Sequence, residues 1–277
     1  MNPVKFCKFH GFGNDYIVFE AEDLREIENL GDFAKDVCHR NTGIGGDGIA
    51  VLEICENEAD FLCKIFNPDG SEAGFSGNGT RCAVAYLYYK NLWQLSSLKL
   101  KTKSGIKTYE LLENNGFTFR FLAELGEPHS ITEVEIRLTD LVLPAISLDV
   151  GNPVAVFFLD DFGEIDWRKE GKEIESHPQF PDKTNAVFVK VLDRENIEIR
   201  IWERAAGETS SSGTCSIAAA VASAFTGKTG RKVSVHAEGG TTEAVWREDG
   251  EMMITGQADL VFCGEWLANS ILNQKNG

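Results

Sequence analysis

Two serines stand where they could meet an anion. Ser76 and Ser212 are each followed by glycine, and each pair leads into a stretch free of proline and of further glycine, residues 82–90 and 216–225. Such stretches read as helices, and a serine just ahead of one is a good N-cap. The first-turn amides of a helix have no acceptor within it and carry the positive end of its dipole, so they attract carboxylates. Two such ends could hold one carboxylate and stabilise charge that develops on it. The plainer alternative, two capped helices with tight turns, stays open on these residues alone. A serine without a neighbouring base is a poor base for a carbon-bound proton.

The other chemistry-bearing residues add little. The seven cysteines, at 7, 38, 55, 63, 82, 215 and 263, are odd in number and form no C-x-x-C. That pattern suggests neither a disulfide framework nor a zinc site, and points to a reducing, cytoplasmic setting. Cys7, Cys38, Cys55, Cys63 and Cys263 read as small buried hydrophobes. Cys215, about one helical turn past Ser212, points toward the core. His10 lies in a glycine-rich motif and reads as ordering that loop; His129 and His177 sit beside prolines in expected loops. No three residues have metal-ligand spacing, so no metal is expected. The pair Asp160-Asp161 reads as solvated.

The elements that must position the serines form a repeat. Residues 66–78 and 202–214 align at an offset that places Glu72 on Glu208, Ser76 on Ser212 and Gly77 on Gly213. Gly13-Asn14 and Gly151-Asn152 nearly keep that offset. Strand signals outnumber helices: residues 97–112 read as a hairpin turning at Lys103-Ser104-Gly105, and 117–121, 134–138 and 186–191 read as strands. A duplicated α+β unit follows, with halves at 1–122 and 123–277 and a last strand returning to the first half. Two such halves are expected to enclose a cleft.

Composition sets limits on partners. The chain has 277 residues with 27 Lys+Arg against 43 Asp+Glu, a formal net charge of −16. That disfavours nucleic acid and anionic membrane surfaces. No apolar run approaches the ~20 residues of a membrane span, and no signal peptide is visible at the N-terminus.

Taken in order, several motifs resemble the diaminopimelate epimerase family nearly end to end. They are residues 9–16 (Phe9-His10-Gly11-Phe12-Gly13-Asn14-Asp15-Tyr16), 40–48, 67–72 with 77–82, Gly151-Asn152-Pro153, Lys183-Thr184-Asn185 and 203–209. The resemblance implies two similar α+β halves, each a strand-rich barrel around a central helix, with the active-site cleft between them. It implies interconversion of LL- and meso-diaminopimelate by two-base α-proton transfer, in lysine and peptidoglycan-precursor synthesis, without a cofactor. It also implies a small amino-acid substrate as partner, and homodimers are common in the family. Carried over by position, Gly77, Asn78, Gly213 and Thr214 match the α-carboxylate cradle. Asn14 and Asn152 match polar groups lining the cleft, and Glu203 matches the group meeting the substrate ammonium. Asn67, Asn185 and Arg204 match residues at the far end of the substrate, where a guanidinium can grip a carboxylate in bidentate fashion.

The sequence departs from the family at the chemistry. Ser76 and Ser212 occupy the two positions of the catalytic cysteines. Val154 follows Gly-Asn-Pro where the family usually has histidine, and Cys215 replaces a glycine. Two alternatives are therefore carried: another isomerase, racemase or dehydratase on this scaffold, with Glu203 or Glu208 as acid–base if burial raises its pKa, or a non-catalytic amino-acid-binding paralogue.

Overall fold

A computed structural model describes residues 3–55, 57–204 and 206–267. The chain divides into two compact units, Met1–Phe121 with Gln257–Gly277, and Leu122–Gly256. In chain order, the first part carries strands β1 (Val4–Gly11) and β2 (Asn14–Glu20), helix α1 (Leu30–Cys38), β3 (Gly48–Ile54), β4 (Phe61–Phe66) and β5 (Glu72–Ala73). Helix α2 (Gly77–Tyr89), β6 (Ser97–Thr102), β7 (Gly105–Asn114) and β8 (Thr118–Gly126) follow. The chain continues with β9 (His129–Arg137), β10 (Val142–Asp149), β11 (Pro153–Phe158), α3 (Trp167–Glu175), β12 (Asn185–Val191) and β13 (Asn196–Glu203). It ends with β14 (Gly207–Thr209), α4 (Gly213–Phe225), β15 (Lys232–Ala237), β16 (Gly240–Trp246) and β17 (Met252–Trp266). The unit boundaries fall within β8 and β17.

The strand pairings repeat as the sequence does. In unit 1, β2 pairs parallel with β3, β3 antiparallel with β4, and β4 parallel with β6. In unit 2, β11 pairs parallel with β12, β12 antiparallel with β13, and β13 parallel with β15. Register is kept too: Tyr16 is opposite Gly48, and Val154 is opposite Asn185. Gly13 and Gly151 both take the left-handed conformation, φ 86° and 91°, that turns the chain into β2 and toward β11. The expected duplication of an α+β unit is what the fold contains.

Each unit wraps strands around one buried helix. Eleven of the thirteen residues of α2, and eleven of thirteen in α4, are buried. A helix buried on all sides must be apolar or small on all sides, and residues 82–88 and 217–222 are so. Both helices start earlier than the sequence suggested, because the serine caps outweigh the weak helix propensity of Gly-Asn-Gly and Gly-Thr. Helix α1 packs Phe33, Ala34 and Val37 onto Ile17, Phe19 and Ile49, and α3 packs Trp167 and Ile174 onto Phe157 and Phe188.

Three sequence expectations are corrected. Cys7 and Cys263 are not separate buried thiols: they face each other across β1 and β17 and form a disulfide, and Cys263 is exposed. A pairing across 256 residues depends on strand register, which cysteine spacing does not reveal. Cys55 is half-buried rather than buried. His129 opens β9 instead of lying in a loop. Among the described residues no helix is long and apolar enough to cross a membrane, and no group of three or more metal-ligating side chains occurs.

Candidate active site

Ser76 is the N-cap of α2. Its backbone is extended, and its Oγ accepts the Gly79 amide at 3.1 Å. Gly77 and Asn78 supply first-turn amides that have no acceptor inside the helix. The buried phenol of Tyr16 lies 2.9 Å from Ser76 Oγ.

A directed chain of hydrogen bonds orients the amide side chains around this helix end. Arg81, 2% exposed, has donors only, and its Nη1 donates to Asn78 Oδ1 at 2.9 Å. Asn78 Nδ2 must then face outward, and it donates to Asn14 Oδ1 at 3.1 Å. Asn14 Nδ2 in turn donates to Asp47 Oδ2 at 2.9 Å. A carboxylate only accepts, so both ends of the chain fix its direction. Asp47 is held by Arg40 at 2.6 Å, and Arg40 also grips Asp15 with two hydrogen bonds. Lys8 reaches Asp15 at 2.6 Å. Burial alone would push the Asp15 carboxyl up, but Arg40 and Lys8 together outweigh it and hold it below the ordinary value. Gly11 lets this layer close, since a Cβ there would lie 3.0 Å from Asn78 Oδ1. Asn67 is half-buried just past β4 and donates to Ser71 Oγ at 3.0 Å.

Unit 2 repeats the helix end with different surroundings. Ser212 caps α4 with the same extended backbone, but its Oγ lies 3.4 Å from the Cys215 amide and 3.3 Å from Thr214 Oγ1. Ser212 and Thr214 are both buried, whereas Ser76 is half-buried. Gly213 and Thr214 supply the first-turn amides. Asn152 follows the left-handed Gly151 and is half-buried. Asn185 is committed to backbone: Nδ2 donates to the Pro153 carbonyl at 3.2 Å and Oδ1 accepts the Arg204 amide at 2.8 Å. Arg204 is exposed, with Nη1 donating to the Asp182 carbonyl. Glu203 closes β13 opposite Gly207.

The remaining acid–base candidates sort clearly. Glu208 is no raised-pKa acid: Arg168 grips it with two bonds, at 2.7 and 2.6 Å, and holds it below the ordinary carboxylate value. Burial pushes Cys82 up to about 12 and Cys215 well above its ordinary value, the Glu203 charge adding to the latter. Neither is a thiolate at neutral pH. His10 does order its loop, accepting the Gly13 amide at Nδ1.

Comparison with known proteins settles the family. The sequence model for "Diaminopimelate epimerase" matches residues 6–130 and 146–261. A diaminopimelate epimerase of Methanococcus maripaludis is 37% identical over 276 residues, covering 95% of this chain and 99% of the relative. One from Moorella thermoacetica is 36% identical over 275 residues, covering 94% and 98%. The chain belongs to the diaminopimelate epimerase family. By class this family member is an isomerase. Solved structures extend the likeness of fold. A probable proline racemase from Agrobacterium radiobacter superposes with a TM-score of 0.74 at 14% identity, covering 99% of this chain and 96% of that one. A Bacillus anthracis phenazine biosynthesis protein of the PhzF family gives 0.72 at 18%, covering 96% and 100%.

Within this diaminopimelate epimerase family member, sequence reasoning missed several residues packed around the candidate site. Tyr16 and Asp15 lie inside the 9–16 motif, yet nothing local shows that the phenol reaches Ser76, 60 residues away. Arg81 and Asp47 also sit in family motifs, 77–82 and 40–48, and their role emerges only once the side chains meet. The repeat carried one usable signal: at the offset of the Gly-Asn pair, Tyr16 aligns with Val154.

Proposed function

We propose that this family member acts at the α-carbon of a diamino dicarboxylic acid of the diaminopimelate type, interconverting its LL and meso forms. The observation that carries the reading is the serine-capped helix end built twice, once in each unit, inside a family match that spans nearly the whole chain. The amides of Gly77 and Asn78, and of Gly213 and Thr214, bind the α-carboxylate and stabilise charge as the α-proton leaves. Asn14 and Asn152 line the site, with Asn14 and Asn78 held in one orientation by the Arg81-to-Asp47 chain. Glu203 meets the α-ammonium. Arg204, with its backbone fixed by Asn185, takes the distal carboxylate, and Asn67 assists there. Ser76 and Ser212 occupy the two proton-handling positions. A hydroxyl is a weaker acid than a thiol, so turnover is slower than with cysteines at these positions.

The test is loss of the α-proton NMR signal in D₂O with LL- and meso-diaminopimelate. The protein as it stands is compared with Ser76→Cys/Ser212→Cys. Exchange with interconversion of isomers in the cysteine variant is expected. Absence of exchange in both proteins refutes the substrate assignment.

A further inference from the structure

Resting on that reading, we propose that Tyr16 is the proton partner of Ser76, so that the phenol and hydroxyl act as a relay in place of a thiol. Three observations support it. The Tyr16 hydroxyl is 2.9 Å from Ser76 Oγ, and the residue is buried. The ring is clamped, since a Cβ at either Gly48 or Gly79 would come within 2.7 Å of Tyr16 Cε1. Finally, the equivalent position in unit 2 is Val154, fully buried and without a proton to exchange. The arrangement is therefore not a generic feature of the repeated fold.

The chemistry balances without any oxidant or metal. Tyr16 enters the step as its phenolate, its proton released to solvent beforehand; Ser76 Oγ then takes the α-proton while its own proton passes to that phenolate. The C–H electron pair moves into the α-carboxylate, whose charge is met by the helix-end amides. The C–H bond breaks, Ser76 exchanges one O–H bond for another, and a new O–H forms on Tyr16; return of a proton reverses each change. A phenol ionises near ~10, so it can hold the negative charge that the serine hydroxyl cannot. The Gly79 amide donated to Ser76 Oγ keeps that oxygen fixed between Tyr16 and the helix end.

The test uses Tyr16→Phe, which removes only the hydroxyl and keeps the clamped ring. It is made in the serine protein and in Ser76→Cys/Ser212→Cys. Read-outs are α-proton exchange in D₂O and diaminopimelate affinity by calorimetry. In the serine protein, exchange should fall at least ~10-fold with affinity unchanged, as for loss of a general acid–base group. In the cysteine background the fall should stay under ~2-fold, because a thiolate needs no relay. Equal rates with and without the hydroxyl overturn the relay. Equal losses in both backgrounds overturn it too, showing that Tyr16 only supports the fold. If the cysteine variant exchanges and the serine protein does not, the relay falls and the substrate reading stands. If neither exchanges, both fall.

Discussion

Cysteines introduced at positions 76 and 212 should ionise differently, although both cap thirteen-residue helices that begin the same way. A partly buried charge at a helix end gains up to ~2 kcal/mol from the dipole, about 1.5 pKa units. At position 76, which is only half-buried, burial opposes that gain less, and the Gly79 amide lies within hydrogen-bond reach. Starting from about 8.5, a thiol there should ionise near ~7. Position 212 is buried, its nearest amide is 3.4 Å away, and the Glu203 charge acts on the neighbouring Cys215. Burial and like charge oppose the dipole there, leaving the thiol at about 8.5 or above. At pH 8 the first is roughly 90% thiolate and the second at most roughly a quarter. The assay is ultraviolet thiolate absorbance against pH in Ser76→Cys and Ser212→Cys, each with Cys55→Ser to remove the half-buried free thiol. Equal titrations, or a lower pKa at 212, would refute the claim that the two helix ends differ in field.

Two further outcomes follow from the ion pairs. Asp15→Asn should destabilise unit 1 by about 3 kcal/mol at pH 7, since Lys8 and Asp15 are only 12% and 11% exposed and losing one partner strands the other. Asp15 ionises below its unfolded value of about 3.9, so its contribution is complete above that pH and is lost as pH falls through the folded pKa. The gap between the unaltered protein and the Asp15→Asn variant should thus narrow at about pH 3, read by hydrogen exchange of α2 amides because two units need not unfold in one step; an unchanged gap would contradict this. Arg168→Ala should cost no more than about 1 kcal/mol, since the pair with Glu208 is 53% and 38% exposed, and should leave α-proton exchange unaltered. A large loss of exchange would show that Glu208 takes part after all.

The fold was legible because the chain states it twice. Matching Ser-Gly pairs, Gly-Asn turns and glutamates at nearly one offset gave the duplication; alternation placed the hairpin, and length with the absence of Gly and Pro placed the central helices. Candidate binding residues could be named because the family motifs that carry them are contiguous. What the sequence withheld is what depends on side chains meeting across distance. Nothing local shows that Arg81, just ahead of the expected helix, is buried against Asn78. Glu208 reads as an acid–base candidate, given burial, until Arg168, 40 residues earlier, closes on it. Cys7 reads as a core thiol until the register of β1 against β17 sets Cys263 opposite it.

At one pair of opposing strand positions the two halves differ together. In unit 1, Tyr16 faces Gly48, where a Cβ would strike the ring at 2.7 Å. In unit 2, the smaller Val154 faces Asn185, whose amide ties the Pro153 carbonyl to the Arg204 amide. An aromatic ring and a side chain at the opposing position exclude each other, because packed interiors leave no room for both. One half thus keeps a hydroxyl behind its serine, and the other gives up that group for an anchor on the Glu203-Arg204 turn. The same strand position thus carries a phenol beside Ser76 in one unit and, in the other, a valine opposite the Asn185 anchor. At Ser76 a phenol stands within reach, and in the other unit the matching position is a buried valine.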